Sequence, residues 1–445
     1  MRLLAAFLVA AGLMAAETPT FYKDVLPVLE KRCQECHRKG EAAPMALTTY
    51  AESRPWAKAI RAAVLSRKMP PWYANSHYGK FSNDRSLSMG EIDTLTQWAD
   101  GGAPAGDSKD APAPASFADG WTIGKPDLIL DMGVDYQVPA KGTVQYTYFV
   151  APTGFTKDTW VRDIEVRPGN RAVVHHIVLF TRPKGSKSFA EAKPGIPFVP
   201  DKEQKKGERP PQSDKGVLYG LGMGGIEMVS VYVPGGIAYK TRPGQARLIP
   251  AGADLIFQMH YTANGTPGAD RSLVGLIFAQ EPPRERVVNA FIMNDSLRIP
   301  PGAANHRVNA NVTLHADATL QSLFPHMHLR GKAFSYTATY PTGETETLLE
   351  VPKYDFNWQL TYYLEKPLPL PKGTVLRATA YYDNSLNNPA NPDPQKEVYW
   401  GDQSWEEMIA GFVDLAIPVS LDPAALVRAP KPAAKPVAGA GGAGR

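Results

Sequence analysis

The chain has 445 residues, 43% hydrophobic and 21% charged, with 41 prolines, 38 glycines and a formal net charge of +4. That length is too great for one ordinary core and implies several domains. The near-balanced charge leaves no basic footprint for nucleic acid, and the proline and glycine content points away from a helical bundle towards loop-rich β structure.

In chain order, residues 1–16 read "MRLLAAFLVAAGLMAA": one Arg, then an apolar run from Leu3 to Ala16. This is the pattern of a secretory signal cleaved near Ala15 or Ala16, and the run is short for a bilayer span. No later stretch is apolar enough to cross. The expectation is export to the periplasm or beyond, without stable membrane insertion.

Both cysteines of the chain lie in "CQECH", Cys33 to His37. Two thiols and an adjacent imidazole at this spacing form the attachment pattern of a covalent haem c. In it Cys33 and Cys36 make the thioethers and His37 is an axial ligand. A redox dithiol or a structural disulfide are the other readings; the dithiol expects a βαβ setting, whereas the flanks here are helical. Phe21, Val25, Val28 and Leu29 share one helical face before the motif. "RPWAKAIRAAVLSRK" is a second helical run. Ser88 with Glu91 opens a third, carrying Ile92, Leu95 and Trp98 and stopping at Gly101-Gly102. A second axial ligand is expected from Met69 in "RKMPPW", where Pro70 disfavours helix and places the thioether on a loop. Met45 and Met89 compete for the role, and any methionine can be core packing.

After an Ala/Pro-rich stretch, residues 108–117, the texture becomes β-branched and aromatic: "TVQYTYFV", "AVVHHIVLF", "DLIFQMHYT", "SLVGLIFA", "FSYTATY". Residues 183–216 read as a basic, proline-rich insertion, and "GLGMGGIEM" as a flexible turn. The end of the chain, from residue 422, is of low complexity and is expected to be disordered.

Of nine histidines, five outside the haem motif gather in three stretches: His175-His176, His260, and His326 with His328. On a strand i and i+2 share a face, so His326 and His328 can close on one ion. Adjacent His175 and His176 can do so only where the strand ends, twists hard or bulges. A single His in a β core is usually a satisfied polar residue; this clustering points to metal. Imidazole suits copper or zinc, and a thioether ligand tips the choice to copper. His77, His306 and His315 lack partners at such spacing and read as surface or loop residues.

These stretches resemble the copper type II, ascorbate-dependent monooxygenase family, which includes peptide-amidating and dopamine-hydroxylating enzymes. Its His-His pair, later "QxHY" histidine, "HxH" pair and methionine after an acidic residue have counterparts in His175-His176, Gln258 to Tyr261, His326 to His328, and Glu407-Met408. The order matches. The intervals from His176 to His260 and from His328 to Met408 are nearly equal. The resemblance covers roughly residues 118–420 and implies two packed antiparallel, jelly-roll-like β-sandwiches with one copper ion each. It implies that His175, His176 and His260 hold an electron-transfer copper. His326, His328 and Met408 hold the copper where dioxygen is activated.

Three positions depart from the peptide-amidating pattern. Where that enzyme holds a peptide carboxylate with Arg, Asn and Tyr, this chain has Phe324, Ala410 and Phe412, which speaks against a peptide substrate. The fused haem segment is foreign to those enzymes too. The expected plan is a leader (1–16), a small all-α cytochrome c domain (17–107), a linker (108–117), two copper sandwiches (118–284 and 285–421) and a tail (422–445). The expected function is hydroxylation of a small, apolar molecule with O2, the electrons arriving through haem c, with room for an external donor. The alternative is a non-catalytic haem and copper protein that transfers electrons or binds copper.

Overall fold

The computed structural model describes residues 17–41, 43–117, 120–200, 217–220 (backbone), 226–238 and 240–427. The expected leader, residues 201–216 of the insertion, residues 221–225 of the glycine-rich turn and the tail beyond 427 lie outside the described residues. The chain is mainly β, with several antiparallel sheets. Among the described residues no helix is long and apolar enough to cross a membrane.

The chain divides into two compact units. One runs to Trp72 and resumes over Arg85–Phe117. Its helices are Leu26–Arg32, Tyr50–Ser53, Ala57–Leu65 and Met89–Asp100. The last begins on a capping box: the Ser88 hydroxyl accepts the Glu91 N–H while the Glu91 carboxylate accepts the Ser88 N–H. Ile92, Leu95 and Trp98 are buried with Phe21, Val25 and Leu29 in one core. Gly102, at φ 87°, takes the left-handed turn that ends the helix.

The other unit holds the rest of the chain and, in addition, Tyr73–Asp84. That excursion interrupts the continuous 17–107 domain expected from sequence. The Asn75 N–H donates to the Glu350 carbonyl at 2.8 Å, the Ser82 N–H to the Tyr363 carbonyl at 2.8 Å, and Phe81 packs its ring on Tyr362 at 5.4 Å. Backbone groups satisfied by strands of the β unit tie the segment there.

Within the β unit a four-stranded antiparallel sheet runs Thr147–Pro152, Asp254–Tyr261, Val174–Arg182, Glu227–Tyr232. A second has the order His306–Thr313, Val375–Tyr382, Gly331–Thr339, Thr345–Val351. A nine-stranded sheet includes Gln245–Ile249, Glu285–Met293, Ala410–Pro418 and Ala318–His326 as successive neighbours. This sheet passes through the expected boundary at 284/285. Gln245–Ile249 pairs parallel to Glu285–Met293, with Gln245 opposite Glu285. Buried ion pairs brace the junction, Arg286 to Glu227 at 3.3 Å and Arg247 to Asp414 at 2.9 Å. The two halves of the β unit therefore share a sheet.

Two smaller expectations change. His306 lies half-buried on a strand rather than in a loop. The expected disorder does not begin at 422, because Leu426 is fully buried and its carbonyl accepts the His315 N–H at 2.8 Å.

Candidate metal centres

The strand Val174–Arg182 sets His176 opposite His260, and its register slips between Val174 and His176. His175 is the extra residue of that bulge. On a regular strand its side chain would face away from that of His176; at a bulge two residues oppose one, and both imidazoles turn towards His260. Ligand atoms of the three lie within 4.8 Å of one another. Nδ1 of His176 is 3.2 Å from Nδ1 of His175 and 3.4 Å from Nδ1 of His260. Two imidazole nitrogens bound to one ion at about 2.0 Å and near-tetrahedral angles are about 3.3 Å apart, so the spacing fits a shared metal. Shared protons cannot satisfy three converging nitrogens as well as a cation can. Tyr146 packs edge-on against His176 and His260, and Phe356 stacks on His175 at 5.7 Å.

The strand Ala318–His326 ends on the first member of the second pair, with His326 opposite Ala410 on the neighbouring strand, and His328 follows just past the strand end rather than on it. The His326 and His328 rings stand 5.1 Å apart at 87°. Each is oriented through Nδ1, which contacts Gln359 Oε1 at 2.5 Å in His326 and the Glu406 carbonyl at 3.2 Å in His328. Both partners are acceptors, so Nδ1 carries the proton and Nε2 is left with its lone pair. Nε2 of His328 is buried and has no hydrogen-bond partner. A buried, unpartnered nitrogen whose opposite ring nitrogen is pinned by a carbonyl is the usual state of a metal-ligating histidine. Met408 lines the same cavity as His326 and His328. Met327 is fully buried, beside Gly331 and the Tyr354 ring.

Glu407 holds this second site together. Its buried carboxylate accepts the His328 N–H at 2.9 Å and the Arg330 N–H at 2.6 Å, tying the "HMHLR" turn to the residue before Met408. Burial raises its pKa to about 8 despite those donors. Arg330, also buried, donates to Asn384 Oδ1 at 2.8 Å and to the Trp405 carbonyl at 2.9 Å. The Tyr354 hydroxyl takes the Met327 N–H at 3.0 Å and donates to the Met327 carbonyl at 2.8 Å. Sequence reasoning missed Gln359, Tyr354, Phe356 and the carboxylate role of Glu407. Only Glu407, beside Met408 in "EEM", carried a local signal.

Burial depresses every one of these histidines. His260 falls to about 3, His326 to about 4, His176 and His328 well below the ordinary value, with neighbouring imidazoles adding to the burial effect in all but His326. All are neutral at pH 7 and offer lone pairs to a cation. The sign for stability follows: below pH 6.5 the unfolded chain binds protons that the metal-free fold refuses, so stability is lost as pH falls towards 4. His326 alone contributes about 3 kcal/mol of that loss. The expected result is a melting temperature of the metal-free chain that drops between pH 6.5 and pH 4, measured by circular dichroism. A flat profile would mean that these imidazoles are not buried neutral.

In the first unit Cys33 closes the helix Leu26–Arg32, and its carbonyl accepts the N–H groups of Cys36 at 3.1 Å and His37 at 2.9 Å. One hydrogen-bonded turn thus holds both thiols and the imidazole. Both thiols are free, and burial lifts Cys33 to about 12, the opposite of the lowered thiol of a redox pair. Nδ1 of His37 contacts the Met45 carbonyl at 3.2 Å, leaving Nε2 for a ligand. Met69 is half-buried on the loop after Ala57–Leu65, as its sequence context predicts, whereas Met89 is 62% exposed.

No family model matches the chain, and no curated protein does. Among solved structures it is similar to the major capsid protein P2 of bacteriophage PM2 at 7% identity and a TM-score of 0.24, over 65% of this chain and 97% of that one. PNGF-II aligns at 8% identity and a TM-score of 0.25 over 65% of each chain. Allantoicase from Saccharomyces cerevisiae aligns at 8% identity and 0.16, over 56% of this chain and 80% of its own. Likeness at this level carries no argument about fold or chemistry.

Proposed function

We propose that the chain is an exported copper monooxygenase that inserts one atom of dioxygen into a C–H bond of a small organic molecule, with electrons arriving through a covalent haem c in its first unit. One observation carries the reading: His176 of the first cluster lines the same cavity as His326, His328 and Met408. Three converging imidazoles in one cluster, and two imidazoles with a thioether in the other, with no thiolate among them, suit copper.

His175, His176 and His260 would hold one copper, and His326, His328 and Met408 the other. When bound, copper supplies one-electron redox chemistry and a place for dioxygen. The substrate carbon loses hydrogen and gains a hydroxyl, and the second oxygen atom leaves as water with two protons and two added electrons. The chain's own part is to orient and exclude. Gln359 and Glu406 aim the two imidazoles, Glu407 fixes the turn between His328 and Met408, and Phe356 stands between the clusters. Its ring is 5.7 Å from His175 and 6.3 Å from His328. Cys33 and Cys36 would hold the porphyrin, with His37 and Met69 on its iron, relaying single electrons from an external donor. On this reading the halves of the β unit are copper-binding sandwiches and the first unit is a cytochrome c domain.

Isotopically labelled dioxygen with reductant is the direct test. Label in a hydroxylated organic product supports the reading; hydrogen peroxide alone, across a broad substrate panel, would contradict it. Replacing Cys33 and Cys36 together by Ala is expected to remove the haem absorption and leave copper at two per chain by elemental analysis. Copper lost with the haem would contradict separate sites.

A further inference from the structure

The cavity beside His326 has a volume of about 1010 Å³ and two aromatic walls. One comes from the nine-stranded sheet. Phe291 lies opposite Phe412, and Phe412 opposite Phe324, on three adjacent strands. Their rings are 5.0 and 5.4 Å apart, and Phe412 stands 6.2 Å from His326. Phe291 and Phe412 are only half-buried in the protein, which leaves ring surface towards the cavity. The other wall is Tyr148, Phe189 and Phe198, with Phe189 on Tyr148 at 4.5 Å. It is held in place. Tyr148 and Phe198 exchange both backbone hydrogen bonds, at 2.7 and 2.9 Å, and Phe189 adopts a φ of 52°, which few bulky residues do.

Outside the histidines, the glutamines that line the cavity are committed to the protein. Gln258 donates to the Tyr148 hydroxyl at 2.6 Å, and Gln359 contacts His326. Of the charged side chains that line the cavity, Lys187 and Glu191 are exposed, and the half-buried Asp402 already has a partner in the protein. A buried charge on the ligand would lose its water with little to replace it, whereas flat apolar surface would meet the aromatic rings that line the cavity.

We infer that this cavity takes a neutral, ring-containing apolar molecule, held by the Phe291–Phe412–Phe324 wall rather than by a charged anchor. That such a molecule is the substrate rests on the proposed function; that the cavity selects it does not.

The test uses the full-length chain before copper is added, so that failure of the copper reading leaves its outcome intact. The probes are a matched pair, the neutral fluorophore N-phenyl-1-naphthylamine and its 8-sulfonate. The expected result is one neutral probe bound per chain, at least about tenfold tighter than the sulfonate. Phe412→Ala should weaken it by roughly threefold to tenfold, and Phe412→Leu, which keeps apolar bulk if the Ala variant folds poorly, by about threefold. Lys187→Ala should leave the neutral probe unchanged. Equal or tighter binding of the sulfonate, lost in Lys187→Ala, would show a charged anchor and overturn the inference. Binding of the neutral probe that ignores both Phe412 variants would overturn it as well.

Discussion

Met408→His will keep copper at two per chain and lose hydroxylation by more than about 100-fold, the upper range for disturbing residues that merely support a metal ligand. An imidazole in place of the thioether still binds copper, but it removes the soft donor that favours the reduced ion. The cavity keeps its shape, because the backbone there is pinned independently: the Tyr382 hydroxyl donates to the Met408 carbonyl at 2.6 Å. Met327→Leu is the control. Met327 is fully buried beside Gly331 and Tyr354, and a volume-conserving apolar swap there should cost less than about 1.5 kcal/mol and leave activity near that of the native chain. Elemental analysis and product yield check both. Equal losses in the two variants would show that Met408 has no special role.

Glu407→Ala should be the most damaging single change outside the ligands. It strands the N–H groups of His328 and Arg330 in a buried place, at about 1–3 kcal/mol each, so the fold loses roughly 2–6 kcal/mol. The turn that aims His328 is released as well, and copper affinity at the second site should drop about 10- to 100-fold, while the His175, His176 and His260 cluster keeps its metal. Glu407→Gln retains one acceptor oxygen and should fall between. Urea unfolding and copper titration measure both effects; an unchanged affinity in the Ala variant would mean that the clamp does not position the ligands.

Local features were legible in the chain. The Ser88–Glu91 box is written in four consecutive residues, and it caps the helix that its apolar spacing outlines. The closeness of His326 and His328 was anticipated from a strand period, but the strand ends at His326, and it is the turn after it that brings His328 beside His326. The pairing of His175 with His176 stated a requirement rather than an answer: some irregularity had to bring them together, and the bulge appears only in the register against Asp254–Tyr261. What was not legible is non-local. Gln359 reaches His326 across 33 residues with no periodic cue. The excursion of Tyr73–Asp84 into the β unit and the sheet shared across residues 284 and 285 depend on strand pairing that no local pattern encodes. Phe324, Ala410 and Phe412 were visible as departures from a carboxylate site, but the aromatic wall to which the two phenylalanines belong needed Phe291 from a third strand.

The central claim is that the two clusters hold two copper ions, one on His175, His176 and His260 and one on His326, His328 and Met408. X-ray absorption at the copper edge of the reduced protein tests it most directly. The account predicts one sulfur scatterer shared over two coppers, absent in Met408→His and retained in Met327→Leu. No sulfur in the native chain, or sulfur that survives Met408→His and vanishes in Met327→Leu, would contradict it.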